Sequence, residues 1–155
     1  MSSADKPSTM TTHASSEIRG TWLYRSYLNK PDVTVGDNPT TALSLLFGEG
    51  IMTFDVDREH ALRGTFDMGG NYMLDLAGTV STPAAPEPVL LRATGVGRPG
   101  TPTAGWEYDY VGYMAETWPN GIDQVPAIVG TVIRAKPHGS AKAGLVASFI
   151  AVRQA

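Results

Sequence analysis

The chain contains no cysteine, which removes disulfides, thiolate nucleophiles, iron–sulfur clusters and cysteine-ligated zinc together. Charge is scarce: 17% of the 155 residues are Asp, Glu, Lys or Arg, and the formal net charge is −3. No cluster of Lys and Arg stands out, so the electrostatic footprint of a nucleic-acid binder is missing and no nucleic-acid partner is expected. No uninterrupted apolar stretch approaches the roughly 18 residues a membrane-crossing helix needs, and no membrane partner is expected either. The opening reads MSSADKPSTMTTHASSE, without the basic start and apolar middle of an export signal, so a cytoplasmic protein is expected. Residues 1–16 carry too little apolar surface to offset the entropy of ordering them. They are expected to form a disordered tail ahead of a single domain, 17–155, which matches the average size of one domain.

What the chain has in quantity is glycine and proline, 17 and 11 residues, too many chain breakers for a helical bundle. Between the turn clusters lie runs of strand composition at 18–28, 42–56 (irregular at its Gly48 and Gly50), 60–68, 72–80, 89–97, 106–116, 127–135 and 145–153. Periodicity of two is clearest in 60–68, where Leu62, Gly64, Phe66 and Met68 alternate with Arg63, Thr65 and Asp67. The same alternation sets Tyr72, Leu74, Leu76 and Val80 against Asp75 and Thr79, and Met52, Phe54 and Val56 against Thr53 and Asp55. Most links between runs are too short for the helical crossover that parallel strands require, so neighbouring runs pair antiparallel. A meander of this size hides its edges most simply by curling until first and last strands meet. The fold class is therefore all-β, an eight-stranded antiparallel up-and-down β-barrel. Such a barrel has an interior just wide enough for side chains or for one small ligand.

The first run carries Gly20-Thr21-Trp22. A G-x-W in the opening strand of an eight-stranded meander resembles the calycin pattern shared by lipocalins, fatty-acid-binding proteins and avidins, in which the tryptophan plugs one end of the barrel. The recurrent Gly-Thr pairs at Gly64-Thr65, Gly78-Thr79 and Gly130-Thr131 make the avidin-like arrangement the nearest. The resemblance implies architecture only: the biotin-binding polar residues and tryptophans of avidins do not map one by one onto this chain, so biotin is not implied.

The segment with the most chemistry is Gly105-Trp106-Glu107-Tyr108-Asp109-Tyr110-Val111-Gly112-Tyr113. Alternation puts Trp106, Tyr108 and Tyr110 on one face and Glu107, Asp109 and Tyr113 on the other. If the aromatic face points inward, it joins Trp22, Tyr24, Phe54 and Phe66 in a pocket with apolar walls and phenol hydroxyls to orient a small-molecule ligand. A packed core is the competing reading of the same residues. If instead the acidic face points inward, Glu107 and Asp109 lie about 6.6 Å apart along a strand that rises about 3.3 Å per residue. That spacing suits a general acid and base acting across a water, although burying two unpartnered carboxylates is costly. The expected function is thus a small-molecule binding barrel for an apolar or aromatic ligand, with no cofactor. The alternative is a cofactor-independent cyclase, isomerase or lyase that uses a lumenal Tyr or carboxylate as acid/base.

Other motifs carry less. Asp55, Asp57 and Glu59 alternate like the start of a calcium loop, but His60 stands where that loop needs glycine, so no metal is expected. Gly95-Val96-Gly97-Arg98-Pro99-Gly100 satisfies G-x-G-x-x-G as a string, yet the following Thr101-Pro102-Thr103 cannot open the phosphate-binding helix. Of the histidines His13, His60 and His138, the last falls in a turn where binding groups are common. In 127–135 and 145–153 both alternate sets are largely apolar, so the outer wall needs a cover. A homo-oligomer through these C-terminal strands is expected.

Overall fold

A computed structural model of the chain describes residues 17–30, 43–81, 84, 87–115 and 117–155; the expected tail, 1–16, lies outside them. The runs become β1 (Gly20–Leu28), β2 (Leu46–Val56), β3 (Ala61–Asp67), β4 (Met73–Val80), β5 (Leu90–Gly97), β6 (Glu107–Ala115), β7 (Ala127–Arg134) and β8 (Val146–Arg153). Each strand pairs antiparallel with its sequence neighbours. β1 also pairs with β8, from Trp22 opposite Arg153 to Leu28 opposite Ala147, which closes the barrel. Closure leaves no strand edge open for pairing with another chain. Among the described residues no helix is long and apolar enough to cross a membrane.

The period-two pattern decides which side chains fill the interior. In β3, Leu62 and Phe66 are buried while Arg63 and Asp67 are exposed, and β8 buries Ala147, Phe149 and Ala151 while Ser148 and Ile150 face out. In β6 the aromatic face points inward: Tyr108 and Tyr110 are buried and Trp106 packs against the same core. The acidic face of β6 points outward. Glu107 meets Lys136 at 3.3 Å and Asp109 accepts a hydrogen bond from Thr94 Oγ1 at 2.9 Å.

Along its axis the interior divides into two unlike halves. At the end that carries the β2–β3, β4–β5 and β6–β7 links, Trp22 is fully buried, and its indole Nε1 donates to the Ile18 carbonyl at 2.9 Å. The Arg153 guanidinium lies over the Trp22 ring, 5.5 Å from its centroid. Behind this plug Met52, Phe54, Leu76, Leu91 and Phe149 leave a void of only about 10 Å³, no more than a single water requires. Each large apolar side chain buried here contributes roughly 1.5–3 kcal/mol. Packing is tight enough that β6 needs a glycine: a Cβ at Gly112 would stand 2.8 Å from Ile128 Cγ2 and 2.9 Å from Phe149 Cζ.

The opposite end is looser, and an irregularity in β2 helps to shape it. Gly48 pairs with Ser26, but Leu46 pairs with Tyr27, so Phe47 is an extra residue on its strand. A bulge of this kind re-aims a side chain. Phe47, which simple alternation would send outward, instead packs against the core and lines the lumen beside Gly48.

The barrel's outside is apolar over a continuous arc. Leu23 and Tyr27 on β1, Ile51 on β2, Val129 and Ile133 on β7, and Val146 and Ile150 on β8 are all exposed. Cross-strand pairing makes them neighbours, with Leu23 opposite Ile51, Val129 opposite Ile150 and Ile133 opposite Val146.

Candidate functional site

The open half of the lumen holds a cavity of about 250 Å³ at the end that carries the β3–β4, β5–β6 and β7–β8 links. Its floor is aromatic. The Tyr24 ring meets Phe66 edge-on at 4.7 Å, stacks on Phe149 at 5.2 Å and meets Tyr110 edge-on at 6.0 Å. Burial pushes the Tyr24 hydroxyl pKa up, opposed by a hydrogen bond with Ser26, and burial likewise raises that of Tyr110. Both phenols therefore stay protonated at neutral pH. Ser26, itself fully buried, points its hydroxyl toward the Gly48 carbonyl at 3.4 Å.

Among the described loops at this end, β5–β6 and β7–β8 bring Trp106 and His138 to the rim. The β5–β6 loop folds tightly under itself: Thr103 is fully buried, and its hydroxyl donates to the Met73 carbonyl at 2.7 Å. Only glycine fits beside it, because a Cβ at Gly97 would lie 1.6 Å from the Thr103 carbonyl oxygen. The loop then returns through Gly105 at φ 83° and delivers Trp106 to the mouth, its amide donating to Thr103 O at 2.9 Å. The β7–β8 loop holds a miniature hairpin in which His138 and Ala141 exchange backbone hydrogen bonds at 3.1 and 2.9 Å. Gly139 follows His138 at φ 57°, the left-handed conformation that the first central residue of such a two-residue turn requires. The turn lays the His138 imidazole flat on Trp106, with ring centroids 4.1 Å apart and planes inclined by 15°.

His138, Tyr108 and Arg134 form one polar cluster. The Tyr108 hydroxyl lies 2.7 Å from His138 Nε2, and Arg134 Nε donates to the same hydroxyl oxygen at 3.1 Å. With Arg134 donating into the oxygen, the phenol's own proton is available to Nε2, the arrangement that a neutral His138 protonated at Nδ1 accepts. The electrostatics agree: desolvation, helped by the Arg134 charge, lowers the His138 pKa. Arg134 Nη1 donates to the Lys142 carbonyl at 3.1 Å. Its guanidinium carbon sits 5.3 Å from the centroid of Phe47 and 5.8 Å from that of Tyr108, cation–π contacts that hold its plane at the mouth.

Of the residues singled out from the sequence, Tyr24, Phe66, Trp106, Tyr108 and Tyr110 meet in this cavity. Phe54 faces the same lumen but lies in the packed half, and Trp22 closes the far end. His138 joins the cluster, whereas His60 sits in the β2–β3 turn at φ 65° and His13 lies outside the described residues. Asp57 is occupied with that turn, its Oδ1 accepting from the amides of Glu59 and Ala61 at 2.8 and 2.9 Å. Among the described residues no group of three His, Asp or Glu side chains is placed to hold a metal ion.

Sequence reasoning missed Arg134, Phe47 and Ser26, and it placed Met68 and Leu74 in the inward sets without naming them as cavity residues. Arg134 had a signal: it continues the inward series Ile128, Gly130, Val132 and therefore ends a dry face with a charge. Comparison of the chain with protein-family models, with curated proteins and with solved structures gives no match.

Proposed function

We propose that this protein is a binding barrel that takes one small, largely aromatic molecule into the open half of its lumen. The observation that carries the reading is the contrast between the two halves of one interior: about 10 Å³ of void in one and about 250 Å³ in the other. Small barrels that need only a core fill it to crystal-like density. Here the unfilled half is also the half with hydroxyls, an imidazole and a guanidinium at its mouth, the few placed polar groups that orient a ligand within apolar walls. The same plan, with Trp22 plugging the end opposite the cavity, supports a calycin-like ancestry as part of this proposal.

The enzyme alternative loses its carboxylate version, because Glu107 and Asp109 face outward and no carboxylate lines the cavity among the described residues. What favours a remaining version is the 2.7 Å contact between the Tyr108 hydroxyl and His138, a geometry suited to proton transfer. Binding without turnover is the simpler reading, since neither group needs another role than orienting a ligand.

The experiment is a thermal-shift panel of one- and two-ring aromatics on the native chain and on Val132→Phe, which places a ring in the cavity. At least one compound raises Tm of the native chain, by an amount that grows with concentration as mass action demands. The same compound leaves Val132→Phe unmoved. A panel with no shift, or equal shifts on both proteins, overturns the proposal.

The apolar arc outside the barrel supports a second copy of this chain as its cover, reaching beyond the C-terminal strands to β1 and β2. At its centre Arg25 and Glu49 stand 3.1 Å apart. A twofold pairing of this face with itself sets Arg25 of each copy near Glu49 of the other, the self-complementarity an isologous interface requires.

A further inference from the structure

Granting the binding reading above, the ligand's charge can be read from the cavity wall. Arg134 is the one charged residue among the described residues that line it; every other lining side chain is apolar, a hydroxyl or the neutral His138. Arg19, Arg25 and Arg98 are paired on the outside with Asp55, Glu49 and Asp75, and Lys136 on the same loop as His138 is turned onto Glu107. Arg134 has no carboxylate among the described residues. Two of its three nitrogens are committed, Nε to the Tyr108 hydroxyl and Nη1 to the Lys142 carbonyl, while Nη2 makes no hydrogen bond to a described residue. The guanidinium is thus fixed in orientation, flanked by the Phe47 and Tyr108 rings, with one donor edge left over. A preoriented guanidinium without its anion suits a carboxylate, to which the free Nη2 can donate a charge-assisted hydrogen bond.

We propose that the ligand of this cavity is a flat aromatic monocarboxylate, held with its rings between the aromatic walls and its carboxylate on Arg134 at the mouth. Size and charge both narrow the class. About 250 Å³ falls below the roughly 300–1,000 Å³ of drug-sized sites, which suits one or two rings and not a long acyl chain. A single guanidinium balances one negative charge. A phosphate dianion would leave excess charge against an apolar wall, with no second cation in the lining to meet it. A cationic ligand would face Arg134 with no carboxylate to receive it. The preference is local, since the chain as a whole carries a net charge of −3 and would repel anions at a distance.

The probes are naphthalene-2-carboxylate and its neutral isostere naphthalene-2-carboxamide, titrated calorimetrically into the full chain. The carboxylate binds about tenfold to a hundredfold more tightly, the range of a charge-assisted hydrogen bond against a neutral one. Raising the salt concentration weakens the carboxylate and leaves the amide unchanged. In Arg134→Gln the two affinities become equal, and Arg134→Lys, which keeps the charge and loses the guanidinium's fixed orientation, retains part of the difference. Equal binding of both probes to the native chain overturns the charge assignment and leaves the binding cavity standing, as does an Arg134→Gln variant that keeps the full preference. Failure of both probes at millimolar concentration removes the cavity reading and this inference together. Should Arg134→Gln fail to fold, the comparison of the two probes and of their salt dependence on the native chain still decides.

Discussion

Adding one methyl group at two glycines of the same lumen separates the packed half from the open half. At Gly112, in the packed half, a Cβ would stand 2.8 Å from Ile128 and 2.9 Å from Phe149, closer than real side chains come. At Gly48, on the cavity wall, the nearest atom is Ser26 Oγ at 3.2 Å, a single hydroxyl that a change of rotamer moves aside. Neither glycine uses the left-handed region of backbone conformation, so in both cases alanine reduces the entropy of the unfolded chain and favours folding by about 0.4–1 kcal/mol. At Gly112 this gain is outweighed by overpacking, which costs typically about 1–3 kcal/mol. The net expectation for Gly112→Ala is a loss of about 1–2 kcal/mol, and for Gly48→Ala a change between zero and a gain of about 1 kcal/mol. In a chain of this length each kcal/mol moves Tm by about 2–4 °C. Urea denaturation followed by tryptophan fluorescence, with a thermal melt as a second readout, measures both variants against the native chain. Equal effects of the two substitutions would refute the division of the interior into a filled and an unfilled half.

Three further outcomes follow from the same geometry. Because burial and Arg134 lower the folded-state pKa of His138 below its ordinary value of 6.5, the unfolded chain binds more protons on the acid side of that value. The contribution of His138 to stability is therefore complete above pH 6.5 and is lost as pH falls below it; melts of His138→Gln across this window show a shallower decline than the native chain, and parallel curves would count against the cluster. Arg98 holds the Asp75 carboxyl below its usual range through a hydrogen bond and charge, with contacts of 2.8 to 3.2 Å. The pair is largely exposed, so Asp75→Asn changes stability by less than about 1 kcal/mol at neutral pH, and a larger loss in denaturant melts would mean the pair is shielded from water. Light scattering at micromolar concentration finds a dimer that Ile150→Lys converts to monomer, whereas a monomeric native chain removes the proposed cover of the outer face.

The sequence carried the facing of each side chain well and its height along the barrel poorly. Alternation in 60–68 correctly separates Leu62 and Phe66 from Arg63 and Asp67, and it correctly groups Trp106, Tyr108 and Tyr110. That parity says nothing about whether an inward residue lies at the packed end or the open end, which depends on register. Trp22 sits opposite Met52 and Phe54 opposite Gly64, pairings that place both away from the mouth. Phe47 escaped because its bulge inverts the parity of one residue. His138 required knowing that the β7–β8 turn folds its imidazole back onto Trp106. Arg134 was hidden at the end of a run whose other residues read as a doubly apolar wall.

The chain's three tryptophans sit in three different settings, which makes their indole N–H resonances reporters of where a ligand goes. Trp22 lies fully buried at the plugged end, Trp106 at the cavity rim under His138, and Trp118 in an exposed loop. In a ¹⁵N–¹H correlation spectrum recorded during titration with naphthalene-2-carboxylate, the Trp106 resonance moves to saturation while those of Trp22 and Trp118 stay in place. Movement of Trp22 or Trp118 instead, or a Trp106 signal that does not respond, would contradict the placement of a ligand site in the open half of this barrel.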